Sequence, residues 1–195
     1  MNRRYWPLYA LVLTAAVAGT ASVACADDLK IDPVHSFVIF SVHHLQAGYV
    51  YGTFEAGPSG NISYDKSDPE KTSFDVHVDV DSLHTHNGNR DKDLKGPDFF
   101  NVKQFPELTF KSASVKKTGD TTMDVTGDLT VRGVTKSVTV SMEMTGEGKG
   151  MRGETRVGFQ TDFTIKRSDF GMIADPAPII GDEVRIIVAL EAVKQ

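Results

Sequence analysis

Apolar and polar side chains alternate without interruption from Phe74 to Asp81, and this period of two constrains the fold more than any other feature of the chain. In an extended strand, successive side chains point to opposite faces, so such a segment buries one face and exposes the other. The same alternation recurs at residues 123–132, 137–144, 156–160 and 184–190. Turn-forming residues such as Arg132-Gly133 separate these segments. The pattern predicts an antiparallel sandwich or barrel of short strands.

Three other segments depart from simple alternation. Asn89–Leu94 is the only helical candidate, because Gly96-Pro97 follows it as a stop signal. In Val34–Val42, apolar residues occupy both faces of the predicted strand, which predicts that something packs on its outer side as well. Gly146–Gly150 follows a strand rather than preceding a helix, so it is predicted to be a hairpin turn and not a phosphate-binding loop.

The first 26 residues have the three parts of a secretory signal peptide. Arg3 and Arg4 form a basic start, Leu8–Val17 is an apolar core, and Ala24-Cys25-Ala26 fits the small-x-small cleavage rule. We therefore predict a signal peptide at residues 1–26, one domain at residues 27–195, and a periplasmic location. In the alternative, Cys25 is a lipidated cysteine, although Ser22 stands where a lipobox usually has leucine.

Composition excludes one class of partner. The chain has 21 basic and 26 acidic side chains, and cleavage after Ala26 removes two of the basic ones. Nucleic acid is therefore not a predicted partner, since binding a polyanion requires a positive surface. Cleavage also removes the only Cys and the only Trp, Trp6, so no disulfide holds the predicted domain.

A set of motifs runs in order through nearly the whole predicted domain. They are Ile31-Asp32-Pro33-Val34-His35-Ser36, Phe40-Ser41-Val42-His43-His44-Leu45, Gly52-Thr53-Phe54, residues 90–95, 98–102 and 105–112, Gly127–Lys136, Asp169-Phe170-Gly171-Met172 and Gly181-Asp182-Glu183-Val184. Together they resemble the YceI-like polyisoprenoid-binding family. The resemblance implies an all-β fold, an eight-stranded antiparallel lipocalin-like barrel with one short helix, whose lumen holds an isoprenoid chain. It implies no catalytic residue, and no cofactor other than a bound polyisoprenoid or isoprenoid quinone as ligand. Many members have a His before the helix leucine, where this chain has Asp93.

On this resemblance, the dry faces of the predicted strands line a lipid-binding lumen. The candidate lumen residues are Phe40, Val42, Phe74, Val76, Val78, Met123, Val125, Leu129, Val138, Val140, Met142, Met144, Val157, Phe159, Ile186 and Val188. Periodicity alone also fits an ordinary packed core, because an eight-stranded barrel either fills with side chains or holds one small ligand. Arg90, Phe99 and Phe100 are candidates for the mouth, and the Arg90 guanidinium suits contact with a phosphate head group.

All six histidines lie between residues 35 and 86. On an extended segment His84 and His86 point to the same side, with Asp81 nearby, so a metal-dependent enzyme is one alternative function. We predict no metal site, because the stretch has the composition of a solvated loop and no third ligand is evident. His35 is predicted to be a hydrogen-bonded structural residue. A second alternative is a structural stress protein with a filled core.

The signal peptide and the resemblance together imply a non-enzymatic periplasmic carrier that sequesters a polyisoprenoid, a polyprenyl diphosphate or an isoprenoid quinone. Transient docking on a membrane or a membrane enzyme would let such a carrier exchange its lipid. A homodimer is predicted if the side of β-structure that carries Phe37 and Ile39 is exposed.

We expect the exported protein to begin at Asp27 and to be released from cells by osmotic shock, because Ala26 ends the predicted cleavage motif. Intact-mass measurement and N-terminal sequencing of the released protein check this. A mature chain that begins with a lipidated Cys25 would contradict it.

Overall fold

The structure, a computed structural model, describes residue 1 and residues 26–195. Nearly all of the predicted signal peptide, including Cys25, lies outside the described residues. The strands are β1 (Asp27–Ile31), β2 (Phe37–His44), β3 (Gly48–Phe54), β4 (Ser59–Tyr64), β5 (Ser73–Asp79), β6 (Leu83–His84), β7 (Glu107–Lys117), β8 (Thr122–Val131), β9 (Val134–Lys149), β10 (Thr155–Lys166) and β11 (Ile180–Lys194). One α-helix is described, α1 (Gly88–Leu94), with 3₁₀ turns at Pro69–Lys71, Val80–Ser82 and Arg167–Phe170. No helix of the described chain has the length and apolar character needed to cross a bilayer.

These eleven segments form eight barrel strands, because three of the long strands are interrupted. β1 and β2 pair with the same edge of β11, with Ile31 opposite Ala192 and Phe37 opposite Ala189. In the same way β3 and β4 form one broken strand, and β5 and β6 another. The chain runs up and down through eight neighbours, and the pairing of β11 with β1 and β2 closes the sheet. The predicted eight-stranded antiparallel barrel with one short helix is confirmed.

The three interruptions lie side by side. A Cβ atom at Gly57 would come within 2.1 Å of the Pro33 carbonyl oxygen, so the breaks after β1 and β3 are in contact. Gly57 also has φ +70°, a conformation that glycine adopts without strain. The Glu55 N–H donates to the Ser82 carbonyl at 2.9 Å, which joins the second break to the third. The aligned breaks divide the barrel into two halves.

One half of the barrel is filled with side chains. Phe159 packs edge-on against Phe74 and Tyr64, with ring centroids 5.3 and 5.7 Å apart, and it is 1% exposed. Val125 from β8 is fully buried in the same cluster. We call this the filled half, and the part enclosed by β2, β3 and α1 the open half.

The open half has a seam in its wall. β3 pairs with β6 only at Thr53 and Phe54, so among the described residues its stretch from Gly48 to Gly52 has a strand neighbour on one side only, β2. The chain between α1 and β7 contributes to the interior beside this seam, where Phe100 packs edge-on against Phe54 at 6.2 Å. Irregular chain and a helix therefore complete the barrel where strand pairing stops.

Two expectations drawn from the sequence were wrong. Gly146–Gly150 is not the hairpin turn, because β9 continues to Lys149 and the turn lies at Gly150–Gly153. Gly146 lies at a β-bulge instead. It pairs with Gly158 and has φ +155°, and the next pair is Met144 with Phe159, so Thr145 is the extra residue. The outer side of β2 is also not fully covered, because Phe37 is 51% exposed there and Ile39 is partly exposed.

Replacing Phe159 by Ala should lower the free energy of unfolding by about 3–5 kcal/mol. Removal of the ring leaves a cavity between two rigid rings in the filled half. Phe37→Ala is the matched control on an exposed site, with an expected loss of about 1 kcal/mol or less. Urea denaturation measures both. Equal losses for the two variants would mean that the filled half does not hold the core.

Candidate functional site

The open half encloses an apolar cavity of about 310 Å³. Its apolar lining consists of Val38, Phe40, Val42, Val50, Phe54, Leu94, Phe99, Phe100, Leu108, Val131, Ile165, Met172, Ile180, Val184 and Ile186. The polar lining residues His44, Arg90, Asp93, Arg167 and Asp175 come from the β2 end, α1 and the chain after β10. The site is therefore hydrocarbon along most of its wall and polar at one end.

A second cavity of about 100 Å³ adjoins the first. The two share Val38, Leu108, Val131 and Ile186 as wall residues, so they follow one another along the barrel axis. The smaller cavity also contacts Phe74, at the start of the filled half. The lumen thus runs inward from the polar end and stops at the aromatic cluster.

The structure distributes the sixteen candidate lumen residues over three levels. Phe40, Val42 and Ile186 line the larger cavity, and Arg90, Phe99 and Phe100 lie at its helical side as predicted mouth residues. The smaller cavity is lined by Phe74, Val76, Val78, Leu129, Val140, Met142, Val188 and again Ile186. The remaining six, Met123, Val125, Val138, Met144, Val157 and Phe159, line neither cavity and pack in or against the filled half.

The sequence analysis missed about two thirds of the residues that line the larger cavity. Val38, Val131 and Val184 have the inward parity of their strands, so the alternation could have found them. Met172 comes from the irregular chain at residues 171–179, which has no periodic pattern, and Ile180 is the first residue of β11, just before a shift in register. A strand pattern predicts which face a residue occupies, and it contains no information about loops that fold over the end.

Helix α1 is fixed to the barrel through Thr85. The side chain of Asn87 caps the helix by accepting a hydrogen bond from the Arg90 N–H at 3.1 Å. The Asp91 carboxylate accepts from the N–H and hydroxyl of Thr85 at 2.8 and 2.5 Å. Burial raises the pKa of Asp91, but these Thr85 hydrogen bonds outweigh it and hold the pKa below its usual value. Asp91 is thus an anion that anchors the helix.

Arg90 is partly committed to the same anchor. Its Nε donates to the Thr85 hydroxyl at 2.8 Å and its Nη2 to the Thr85 carbonyl at 2.5 Å. Two of its donor nitrogens are therefore engaged within the protein while the side chain borders the cavity. Its contact with a lipid head group stays a prediction.

Arg167 organises the chain that covers the polar end of the cavity. Its guanidinium is 5% exposed and donates five hydrogen bonds to backbone carbonyls. The acceptors are Met172, Ala174, Asp175, Ile180 and Gly181. All five N–H groups of an arginine are thereby used, so Arg167 has no donor left for a ligand. It shapes the mouth and places Met172 and Ile180 against the lumen.

Arg132 joins the two sides of the mouth. It occupies the β8–β9 turn, and its Nη1 and Nη2 donate to the carbonyls of Gly171 and Pro97 at 2.7 and 2.8 Å. One acceptor belongs to the Arg167-bound chain and the other to the segment after α1. The mouth therefore has a defined shape without any strand pairing across it.

A group of side chains at the barrel wall has the composition of a metal site but forms a salt-bridge network. Asp32, His35 and Glu191 bring ligand atoms within 4.8 Å of one another, but the Arg156 guanidinium donates to both carboxylates. The hydrogen bond from His35 lowers the pKa of Asp32 to about 2, against the opposing effect of burial, and Arg156 adds to the lowering. His35 lies in the turn after β1 and is hydrogen-bonded, 2.8 Å from Asp32. An arginine supplies the positive charge that a metal would bring.

The segment before α1 is less solvated than its composition predicts. Leu83 and Thr85 are 3% and 2% exposed, whereas residues 86–89 are all exposed. Asp81 pairs with Lys95, not with the histidines. The expectation of a solvated loop is confirmed for residues 86–89 and wrong for Leu83 and Thr85, and the expectation that Asp81 lies with the histidines was wrong.

Comparison with known proteins agrees with this geometry. Residues 29–192 match the model of the YceI-like domain. The chain belongs to the YceI-like family. Protein YceI of Salmonella newport is 38% identical over 183 residues, which cover 93% of this chain and 94% of that one. The crystal structure of Burkholderia cenocepacia BcnA superposes with a TM-score of 0.75 at 26% identity, covering 83% of this chain and 98% of BcnA.

A third protein shares the YceI-like barrel at low identity. A polyisoprenoid binding domain from Saccharophagus degradans, implicated in plant cell wall breakdown, superposes with a TM-score of 0.68. It is 16% identical, and the match covers 87% of this chain and 99% of that domain. At this identity the likeness shows the common fold.

In this YceI-like barrel, Arg167→Met should speed hydrogen exchange of the amides at residues 171–181, because five carbonyls lose their shared donor. Exchange in Arg167→Lys should be faster than in the wild type and slower than in Arg167→Met, since an ammonium group has three donors. Lys166→Met, on an exposed neighbour, is the control. Unchanged exchange in Arg167→Met would show that the mouth is held by other contacts.

Proposed function

We propose that this protein is a periplasmic carrier that sequesters a long apolar lipid in the lumen of its barrel. The observation that carries the proposal is the pair of adjoining cavities, of about 310 and 100 Å³, with a wall of aliphatic and aromatic side chains. Ligand sites of about 300–1,000 Å³ are typical for small molecules. The ligand classes we propose are a polyisoprenoid, a polyprenyl diphosphate and an isoprenoid quinone. The polyisoprenoid-binding domain of Saccharophagus degradans supports this ligand class.

An apolar tail gains affinity here by leaving water. Each buried CH₂ contributes about 0.8 kcal/mol, so several isoprenoid units would bind tightly even after the cost of immobilising them. The lumen wall offers hydrocarbon to the tail, whereas His44 and Asp175 lie at the polar end and Arg90 borders the cavity on its helical side. This distribution suits a lipid with one polar end, and it supports binding rather than catalysis.

The alternative of a structural protein with a filled core describes only the filled half. If the larger cavity were dry and empty, lost packing at about 24 cal/mol per Å³ would amount to roughly 7 kcal/mol. That figure is comparable with the whole stability of a typical domain, about 5–15 kcal/mol. An occupant in the open half removes this cost, which favours the carrier.

Exposed apolar side chains surround the polar end and support docking on a membrane. Leu45, Ile173 and Ile179 are 57%, 71% and 45% exposed. The Leu45 N–H donates to the Ile179 carbonyl at 2.8 Å, so the β2–β3 turn and the Arg167-bound chain form one rim. A lipid that passes across such a rim moves from the bilayer to the lumen with little exposure to water.

The test introduces a Trp into the lumen. Ile186 lines both cavities, so Ile186→Trp should fill the lumen and reduce the lipid recovered by organic extraction and mass spectrometry. Ile187→Trp is the matched control, because Ile187 is the adjacent residue and its strand parity places it on the outer face. The only Trp of the chain, Trp6, lies in the predicted signal peptide, so the new indole is the only one in the processed protein that we propose.

We expect the indole at position 186 to emit at short wavelength and to respond when polyprenol or a quinone is added to stripped protein. The indole at position 187 should not respond. Wild-type protein that yields no extractable apolar lipid and binds none after stripping would overturn the proposal. Equal lipid content in both variants would place the lipid outside this lumen.

A further inference from the structure

Two histidine rings meet on the outer surface of the barrel, away from the lumen. His84 ends β6 and His86 precedes α1. The Nε2 atom of His84 lies 3.2 Å from the Nδ1 atom of His86, and the rings are inclined at 77°. The side chain of His84 is one third exposed and His86 is exposed, so both nitrogens are accessible to an ion.

The backbone between the rings is fixed by buried contacts. Thr85 is 2% exposed and is held by Asp91 and Arg90 as described above. His86 has φ +62°, a left-handed conformation that turns its side chain back toward His84. The two imidazoles are therefore brought together by the anchoring of the helix.

The two nitrogens are within hydrogen-bond distance, and their separation is also close to that of two ligands on one metal ion. Imidazole nitrogens about 2.0–2.1 Å from a tetrahedral zinc lie roughly 3.3 Å from each other. The carboxylate of Glu55, just after β3, has its Oε1 3.9 Å from the same His84 nitrogen. The Glu55 side chain is 64% exposed and therefore free to rotate, and it must rotate to reach ligand distance. Sequence reasoning lacked this third ligand because Glu55 is 29 residues from His84 in the chain.

The other nitrogen of His84 has the partner that metal-bound histidines usually have. Its Nδ1 lies 3.4 Å from the Asp91 carboxylate. A carboxylate at that position favours a proton on Nδ1 and leaves the Nε2 lone pair facing His86 and Glu55. Among the described residues, His84 is the only basic side chain within ion-pair distance of Glu55, unlike the network in which Arg156 already neutralises Asp32 and Glu191.

We propose that His84, His86 and Glu55 form a binding site for a divalent transition-metal ion of the zinc class. His84 Nε2, His86 Nδ1 and a Glu55 oxygen are the protein ligands, and water occupies the remaining position. Imidazole and carboxylate donors suit zinc, copper, nickel and cobalt. The site is separate from the lumen, so this proposal does not depend on lipid binding.

The ion connects two parts of the open half. Glu55 follows β3, and His86 leads into the helix that borders the cavity. A metal that binds both stabilises the folded protein through mass action and restrains the start of α1 against the barrel wall.

The test titrates ZnCl₂ and CoCl₂ into untagged, chelator-stripped protein, with calorimetry for zinc and visible absorption for cobalt. We expect one ion per chain and an increase in Tm on zinc addition. His84→Ala and His86→Ala should each weaken zinc binding at least about tenfold and abolish the Tm increase. Glu55→Gln, on an exposed side chain that does not threaten folding, should also weaken binding and change the cobalt spectrum.

His43→Ala is the matched control, because His43 lies on the outer face of β2 and stacks on Tyr49 at 5.0 Å instead of facing a second imidazole. It should retain the wild-type affinity. Zinc binding that is absent from the wild type, or that is unchanged in both His84→Ala and His86→Ala, would overturn the proposal. Extraction of the same samples reports lipid content separately, so a failed metal site and a failed carrier proposal are distinguishable.

Discussion

Closure of the sheet by β11 is the constraint on which the rest of this structure depends. A single strand pairs with β10 on one edge and with both β1 and β2 on the other. Because β1 and β2 share that edge, the chain between them can leave the sheet without opening the barrel. The neighbouring strands break at the same level, and the interior is divided at that point into a filled half and an open half. Stability and cavity thus come from different parts of one closed sheet.

The arginines of the open half hold the surrounding chain in place through hydrogen bonds within the protein. Arg167 donates its five hydrogen bonds to backbone carbonyls, Arg132 spans the two sides of the mouth, and Arg90 is bound to Thr85. Buried charged groups require such partners, because an unpaired charge in an apolar surrounding is costly. The arginines therefore allow irregular chain to form a wall where strands do not. The ligand is left with a surface that is mainly hydrocarbon.

The sequence predicted the class of fold because alternation is a local signal. Phe74, Val76 and Val78 were expected on one face, and all three are buried on the inner face with less than a tenth of their surface exposed. The position of a residue along the barrel axis depends on the stagger between strands. The sequence of one strand carries no information about that stagger. Alternation therefore could not separate Met142, beside a cavity, from Met123, in the filled half. Glu55 near His84, and Met172 over the lumen, depend on contacts distant in sequence or on turns without a period.

The incomplete pairing of β3 has a consequence for how a long molecule enters. In a barrel sealed on all sides, a chain of many isoprenoid units would have to thread lengthwise through the end. Here the edge from Gly48 to Gly52 is bounded by α1 and irregular chain, which are joined to the wall by side-chain contacts rather than by a ladder of backbone hydrogen bonds. Displacement of that one helix would open a slot along the barrel's flank. A tail could then be laid in sideways, over its whole length at once, while the filled half keeps the sheet closed.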